Sequence, residues 1–354
     1  GQPGDAEAAL AHYQQSLSVR QQLREANPNS AHAARDVSVS LERLGDFLAS
    51  RGQPGDAEAA LAHYQQSLSV RQQLREANPN SAHAARDVSV SLERLGDFLA
   101  SRGQPGDAEA ALAHYQQCHS VLQQLREANP NSAEAARDVS VSLNKLADFL
   151  SKRGQPGDAE AALAHYRQGL NIAQQLREAN PNSAQAARDV SVSLERLGDF
   201  LASRGQPGDA EAALAHYQQS LSLSQQLREA NPNSAEAARE LMISYERMSH
   251  VTALQAEGAA AALALQQQAL ALALQLHQQN PGSWYFQRSA AISFHLTAFR
   301  AHAAGNEALS AETLSACYAL LDQALQAGMA VDPPMRQLHA QLAPYFNAAR
   351  DKEE

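Results

Sequence analysis

Residues 1–51 read GQPGDAEAALAHYQQSLSVRQQLREANPNSAHAARDVSVSLERLGDFLASR, and residues 52–102 repeat that stretch letter for letter. Three further copies with few changes begin at Gly103, Gly154 and Gly205. A period of this length marks a stacked-repeat architecture, in which each unit buries its apolar face against its neighbours and no central core exists. Length alone, 354 residues, would suggest two or three globular domains. The repeat overrides that expectation. It divides the chain into five tandem units, 1–51, 52–102, 103–153, 154–204 and 205–255, followed by a divergent C-terminal region, 256–354.

Each unit reads as two helices. Gly4 and Asp5 open the first, with Asp5 expected as N-cap and Glu7 suited to the positive helix end. Ala6, Ala9, Leu10, Tyr13, Ser16, Leu17 and Leu23 then fall at helical spacing. Asn27-Pro28 ends this helix, because the residue before proline is pushed out of the α region. Asn29 or Ser30 caps the second helix. In the third and fifth units, Asn131 with Glu134 and Asn233 with Glu236 have capping-box spacing. Val37, Leu41, Leu44 and Leu48 share one face of this helix, which runs to about Arg51. Gly52 to Gly55, with Pro54 inside, form the next turn. Helices of about 20 residues are about 30 Å long.

The copies can be compared with one another. Position 45 of the unit is Gly45, Gly96, Ala147, Gly198 and Ser249, and position 16 is Ser16, Ser67, Cys118, Gly169 and Ser220. Glycine inside a helix costs about 1 kcal/mol relative to alanine. Its recurrence at position 45 predicts that another backbone passes close there. Leu41-x-x-Leu44-Gly45, then Ala9-Leu10-x-x-Tyr13-x-x-Ser16-Leu17, then Pro28, resemble the signature of tetratricopeptide (TPR) repeats over residues 1–255. The unit is longer than the usual 34 residues, and resembles a long-repeat bacterial branch of that family. The resemblance implies an all-α, TPR-like right-handed α-solenoid of antiparallel helix pairs. It also makes the first helix of the chain the second helix of a family motif. Its usual partner is expected upstream, so that the chain reads as part of a longer multidomain protein, with an uncapped N-terminal end open to fraying or self-association. Beyond residue 255, NPGSW at 280–284 echoes NPNSA, and Trp284, Tyr285, Phe286, Phe294 and Phe299 add bulk foreign to the regular units.

The net charge is −10, with 28 Lys+Arg against 38 Asp+Glu, and a mild acidic excess argues against a nucleic-acid partner. Two cysteines, Cys118 and Cys317, form no disulfide framework, so a reducing, cytoplasmic setting is expected. Ala259–Leu276 is rich in Ala and Leu, but Gln266, Gln267 and Gln268 in its middle point to a buried helix and not to a membrane span.

Arg35, Glu42 and Asp46 recur as Arg86/Glu93/Asp97, Arg137/Asn144/Asp148 and Arg188/Glu195/Asp199, at spacings that put them on one helix face. The TPR resemblance makes this the concave, ligand-lining face. The competing reading is inter-repeat salt bridging on a solvated surface, worth ~0–1 kcal/mol per pair. The third unit departs most: Asn144 and Lys145 replace Glu and Arg, and Lys152 replaces Ser, making it locally less acidic. His12, His63, His114, His165 and His216 form a ladder. Its rungs are too far apart to share a metal, so ordinary titration near ~6.5 is expected. Cys118-His119 lacks a third group to orient it and reads with Leu122 as local repacking. No motif for a nucleotide, metal or nucleophile is present, and no catalytic residue, cofactor or metal is predicted. The expectation is a non-enzymatic scaffold or sensor arm that holds a peptide or partner protein. The alternative is a structural spacer or self-assembling solenoid.

Overall fold

The computed structural model describes residues 4–350, which form fourteen α-helices and no strand. In order these are α1 (Asp5–Ala26), α2 (Ala31–Arg51), α3 (Asp56–Ala77), α4 (Ala82–Arg102), α5 (Asp107–Ala128), α6 (Ala133–Arg153) and α7 (Asp158–Ala179). They continue as α8 (Ala184–Arg204), α9 (Asp209–Ala230), α10 (Ala235–Thr252), α11 (Ala259–Gln279), α12 (Trp284–Ala303), α13 (Glu307–Gln326) and α14 (Pro333–Arg350). The chain divides into two compact units, Gly1–Ala179 and Asn180–Glu354.

The helix ends follow from local chemistry. Asn27 closes α1 with φ −135°, its backbone N–H returning to Leu23 and Arg24, as the proline at 28 requires. Ser30 caps α2, its side chain accepting from the Ala33 N–H at 3.1 Å. Ser81, Ser132, Ser183 and Ser234 do the same for α4, α6, α8 and α10. The asparagine capping boxes are therefore not formed. Ser132 and Ser234 take the cap, and Glu134 and Glu236 reach sideways instead to Arg86 and Arg188, at 3.0 and 2.9 Å.

Asp5 is not an N-cap either. Gly4 occupies that position with φ 99°, and Gly55 and Gly106 repeat it at φ 85°, a left-handed backbone that suits glycine. The equivalent aspartate, Asp56, lies one residue inside the helix and ties the turn together. It accepts from Arg51 through both carboxylate oxygens, at 2.8 and 2.5 Å, and from the Gln53 N–H at 2.9 Å. Arg102–Asp107 and Arg153–Asp158 form the same bidentate clasp. The arginine holds each of Asp56, Asp107 and Asp158 below the usual carboxylate range, chiefly by hydrogen bonding.

In the first unit α2 packs most extensively on α3, α4 on α5 and α6 on α7; in the second, α8 on α9, α10 on α11 and α12 on α13. The tight hairpin thus spans the GQPG turn and not the NPNS turn, which is the pairing the family resemblance implies. In the first unit, one core runs through Val37, Leu41, Leu44, Leu48, Leu68, Val88, Leu92, Leu95, Leu122 and Leu143. The second unit holds two apolar clusters, one around Ala238, Met242, Ala273 and Leu276 and one around Ala291, Cys317, Leu321 and Met335. By length and composition, α11 is apolar enough to cross a membrane. Within the unit it packs against α10 and α12, and its Gln266 is buried and donates to Ser293 at 3.3 Å.

Position 45 is tight for a different reason from the one the sequence suggests. A Cβ on Gly45 would lie 3.0 Å from Cε1 of Tyr64. On Gly96 and Gly198 it would lie 2.9 Å from Cε1 of Tyr115 and Tyr217. The close neighbour is an aromatic ring from the next helix, not a backbone. Each tyrosine hydroxyl then donates to the aspartate following the small residue: Tyr64 to Asp46 at 2.7 Å, and Tyr115 to Asp97, Tyr166 to Asp148 and Tyr217 to Asp199 at 2.6 Å.

Candidate binding face

Positions 35, 39, 42, 43 and 46 fall on the side of α2 opposite the Val37–Leu48 core stripe, because a residue advances about 100° around a 3.6-residue helix. The same holds on α4, α6 and α8. The structure places most of the predicted site residues in bonds between repeats. Arg35 donates to Asp87 at 3.0 Å, and Arg86 pairs with Asp138 at 2.7 Å as well as with Glu134. Arg94 holds Asp46 at 2.8 Å, Lys145 holds Glu93 at 2.9 Å and Asp97 at 3.3 Å, and Arg247 holds Asp199 at 3.1 Å and also Glu195. In the second unit Arg188 bridges to Glu240 at 2.8 Å. Asp148 receives the Tyr166 hydroxyl described above, and Arg137 occupies on α6 the position of Arg35 and Arg86.

Glu42 is not on the solvated surface that its helical position suggests. It is buried, and its carboxylate accepts from Ser91 at 2.7 Å, Ser67 at 3.2 Å and Arg71 at 2.9 Å, with Arg94 at 3.5 Å. Two charges and two hydroxyls therefore satisfy one another inside the stack, the condition under which a buried ion pair is tolerated.

Later copies alter both sides of this contact. Across from Glu93 the arginine becomes Leu122 and the serine Cys118, and Glu93 turns to Lys145. Across from Asn144 the two positions are Ala173 and Gly169, and the charge has gone from both sides. The Asn144 Oδ1 lies 2.9 Å from where a Cβ on Gly169 would sit. Glu195 keeps two serine donors, Ser220 at 2.8 Å and Ser244 at 2.9 Å, while Ser224 replaces the arginine. In the fifth copy the position-42 carboxylate is Glu246, and the equivalent facing residues are Ala269 and Ala273. Burial pushes Glu246 up to about 7.

One feature of this face escaped the sequence reading. Val90 and Val141 in the first unit are 44% and 42% exposed, among the charged rungs, and Val192 in the second unit is 44% exposed. Val88 and Val90 are two residues apart in the same VSVS string, yet the helical phase buries the first and turns the second outward. That signal was present in the sequence.

The histidine ladder lies off this face. Burial lowers the pKa of His63, His114 and His165, so they do not titrate at the ordinary value expected from sequence. Among the described residues no group of three or more His, Cys, Asp or Glu side chains is arranged to hold a metal ion. Cys118 and Leu122 are both buried in the core, and burial raises the Cys118 thiol to about 12. The His119 ring pairs through Nδ1 with Ser142 at 3.0 Å. Around Lys145 a cavity of about 300 Å³ is lined by Asp97, Tyr115, Lys145, Asp148 and Lys152.

The helices in tandem pairs, with position-specific small and aromatic contacts, define an all-α, TPR-like α-solenoid. No known family profile matches the chain. It is 29% identical over 197 residues to Protein NCA1 of Arabidopsis thaliana, which covers 55% of this chain and 44% of that protein. The chain therefore spans less than half the length of that relative. Among solved structures, BtubC (BKLC) from P. vanneervenii superimposes with a TM-score of 0.50 at 15% identity, covering 93% of this chain and 95% of that one. A thermophilic TPR protein of Thermus thermophilus gives a TM-score of 0.37 at 16% identity over 72% of this chain and 98% of that one.

Proposed function

We propose that this chain is a non-enzymatic protein-interaction scaffold that receives a peptide segment or partner protein on the faces of α2, α4 and α6. The carrying observation is the exposed valine at a fixed position of α4 and α6, Val90 and Val141, framed by charged rungs. Apolar side chains held in line on a rigid surface release water when a ligand covers them, and repeat surfaces present such lines along their length. The rungs Arg94–Asp46 and Lys145–Asp97 are exposed enough to exchange partners, so Arg35, Asp46, Arg86, Glu93, Asp97 and Lys145 form the polar rim of the site. Glu42 is a buried support beneath it. The two free, buried cysteines support a reducing, cytoplasmic setting.

A peptide-display library selected on the purified chain tests this. Enriched peptides should carry apolar residues and lose at least about tenfold in affinity on the Val90→Asp/Val141→Asp variant, with an unchanged thermal midpoint. No enrichment, or equal affinity for the variant, would refute it. A purely structural spacer is the second reading. It is favoured by one observation: the charged residues of this face already bridge repeat to repeat, as in Arg35–Asp87 and Arg86–Asp138.

A further inference from the structure

One contact recurs through the regular hairpins. A tyrosine hydroxyl donates to an aspartate on the helix before it, as Tyr64 does to Asp46. The tyrosine ring packs on a phenylalanine of the helix after it, Tyr64 on Phe98 at 5.2 Å between centroids. Tyr115 does the same with Asp97 and Phe149. A cation from the later helix closes the other side of the aspartate, Arg94 on Asp46 at 2.8 Å.

Across α10, α11 and α12 every member of this contact is exchanged. Counted from the shared Asn-Pro, the aspartate becomes His250, the tyrosine Gln266, the phenylalanine Arg300 and the arginine Leu296. The aspartate position of α12 itself becomes Phe299, which is 61% exposed. The exchange places a cation where a ring stood and removes both carboxylates. Arg300 is 9% exposed. A guanidinium carries five N–H donors. Here one has an acceptor, His250 Nδ1 at 3.3 Å, and the buried Nε has none. Among the described residues Arg300 forms no ion pair. Arg247 takes Glu195 and Asp199, His302 takes Glu307, and neither Glu246 on α10 nor Glu257 in the turn after it bonds to Arg300. Burial lowers the Arg300 pKa, and no carboxylate offsets the effect. Arginine is almost never buried without a partner, because an unpaired ion inside a fold is costly.

We propose that Arg300, His250 and the exposed Phe299 ring form a binding site for a carboxylate carried beside an apolar group. The guanidinium fork donates to the two carboxylate oxygens, the geometry in which Arg–carboxylate pairs are strongest. His250 accepts through Nδ1, so it is neutral there and steadies one edge of the guanidinium. The Phe299 ring centroid lies 5.5 Å from the guanidinium carbon, and the ring covers the apolar part of the ligand. One buried positive charge matches a monoanion and would leave a doubly charged phosphate unneutralised. The site uses no residue of the valine face, and its test does not depend on that reading.

The test titrates the full, nitrogen-15-labelled chain with N-acetyl-phenylalanine and, separately, with its neutral amide. The Arg300 Nε–H resonance, assigned by its loss in Arg300→Met, should shift saturably with the acid and stay in place with the amide. The blocked dipeptide acetyl-Glu-Phe-amide separates the sources. A shift with it as well supports a peptide side chain as the carboxylate, and a shift with the acid alone supports a chain terminus or a free small acid. Phe299→Ala should weaken binding about tenfold at an unchanged thermal midpoint. Arg300→Met should abolish binding and leave the midpoint equal or higher, because an unpaired buried charge is removed. No saturable shift with either carboxylate, equal shifts with acid and amide, or a lowered midpoint for Arg300→Met would overturn the inference. So would a Glu257→Gln change that displaces the Arg300 resonance without ligand, since Glu257 would then be the anion.

Discussion

Replacing Gly96 with leucine puts the most specific contact of the fold under load. A Cβ at this position would already stand 2.9 Å from Cε1 and Cζ of Tyr115. Ordinary contact begins near 3.4 Å, so even a methyl must move the ring by about half an ångström. The chain shows that one methyl can be absorbed. Ala147 occupies the equivalent site, and Tyr166 still reaches Asp148 at 2.6 Å. For Gly96→Ala, the helix-propensity gain of about 1 kcal/mol therefore opposes a ring displacement of similar cost, and the net change should stay within about 1 kcal/mol. Leucine adds three more carbons where there is no space. Overpacking costs about 1–3 kcal/mol, and expelling the ring forfeits the Tyr115–Asp97 bond, about 1 kcal/mol more. The assay is urea denaturation of wild type, Gly96→Ala, Gly96→Leu and the exposed control Gln65→Leu, with midpoints compared at unchanged slope. Hydrogen exchange over α4 and α5 localises the effect. Midpoints for Gly96→Leu and Gln65→Leu that coincide would refute the close-packing argument. A Gly96→Ala loss as large as that of leucine would refute the role assigned to the ring.

The position-42 contacts yield two further predictions. Glu246 has a native pKa of about 7, above its ordinary 4.5, because burial disfavours its charge. Its cost to stability is absent below about pH 4.5 and grows as pH rises through about 7, so Glu246→Gln should raise the thermal midpoint at pH 8 and leave it nearly unchanged at pH 4; an equal shift at both would contradict this. Arg71→Met should be strongly destabilising, by about 3–5 kcal/mol, because it strands a buried carboxylate. Adding Glu42→Gln should recover much of that loss in a double-mutant cycle, as the natural Asn144/Ala173 pair suggests, and strictly additive losses would rule the coupling out.

Much of this architecture was legible in one chain because the sequence contains its own comparison. Val37, Leu41, Leu44 and Leu48 fix the buried stripe of the second helix through their spacing alone. Asn27-Pro28, Ser30 and the Gly52–Gly55 turn fix the helix ends through local backbone chemistry, which needs no knowledge of the rest of the molecule. Local signals misled where a side chain had a choice of partners. Asp5 and Asp56 look like caps, but Asp56 is drawn to Arg51 across the turn. Glu134 has capping-box spacing, but the neighbouring repeat offers it Arg86.

The charged face was legible as a face and not as a network. Glu42, Glu93 and Glu195 are the same residue at the same position of the unit, in nearly identical helices. Whether each is buried among serines and an arginine, turned to a lysine, or shared with Arg247 depends on a residue 29 positions away on another helix and on one about 50 positions away on a third. The sequence alone therefore determined the helices, where they end and the repeat, because these rest on bonds within a few residues. Tertiary structure decided which helix covers which, that a tyrosine ring fills the gap above Gly96, and which carboxylates leave water. Burial and pairing between distant residues are properties of the stack, and no single repeat carries them.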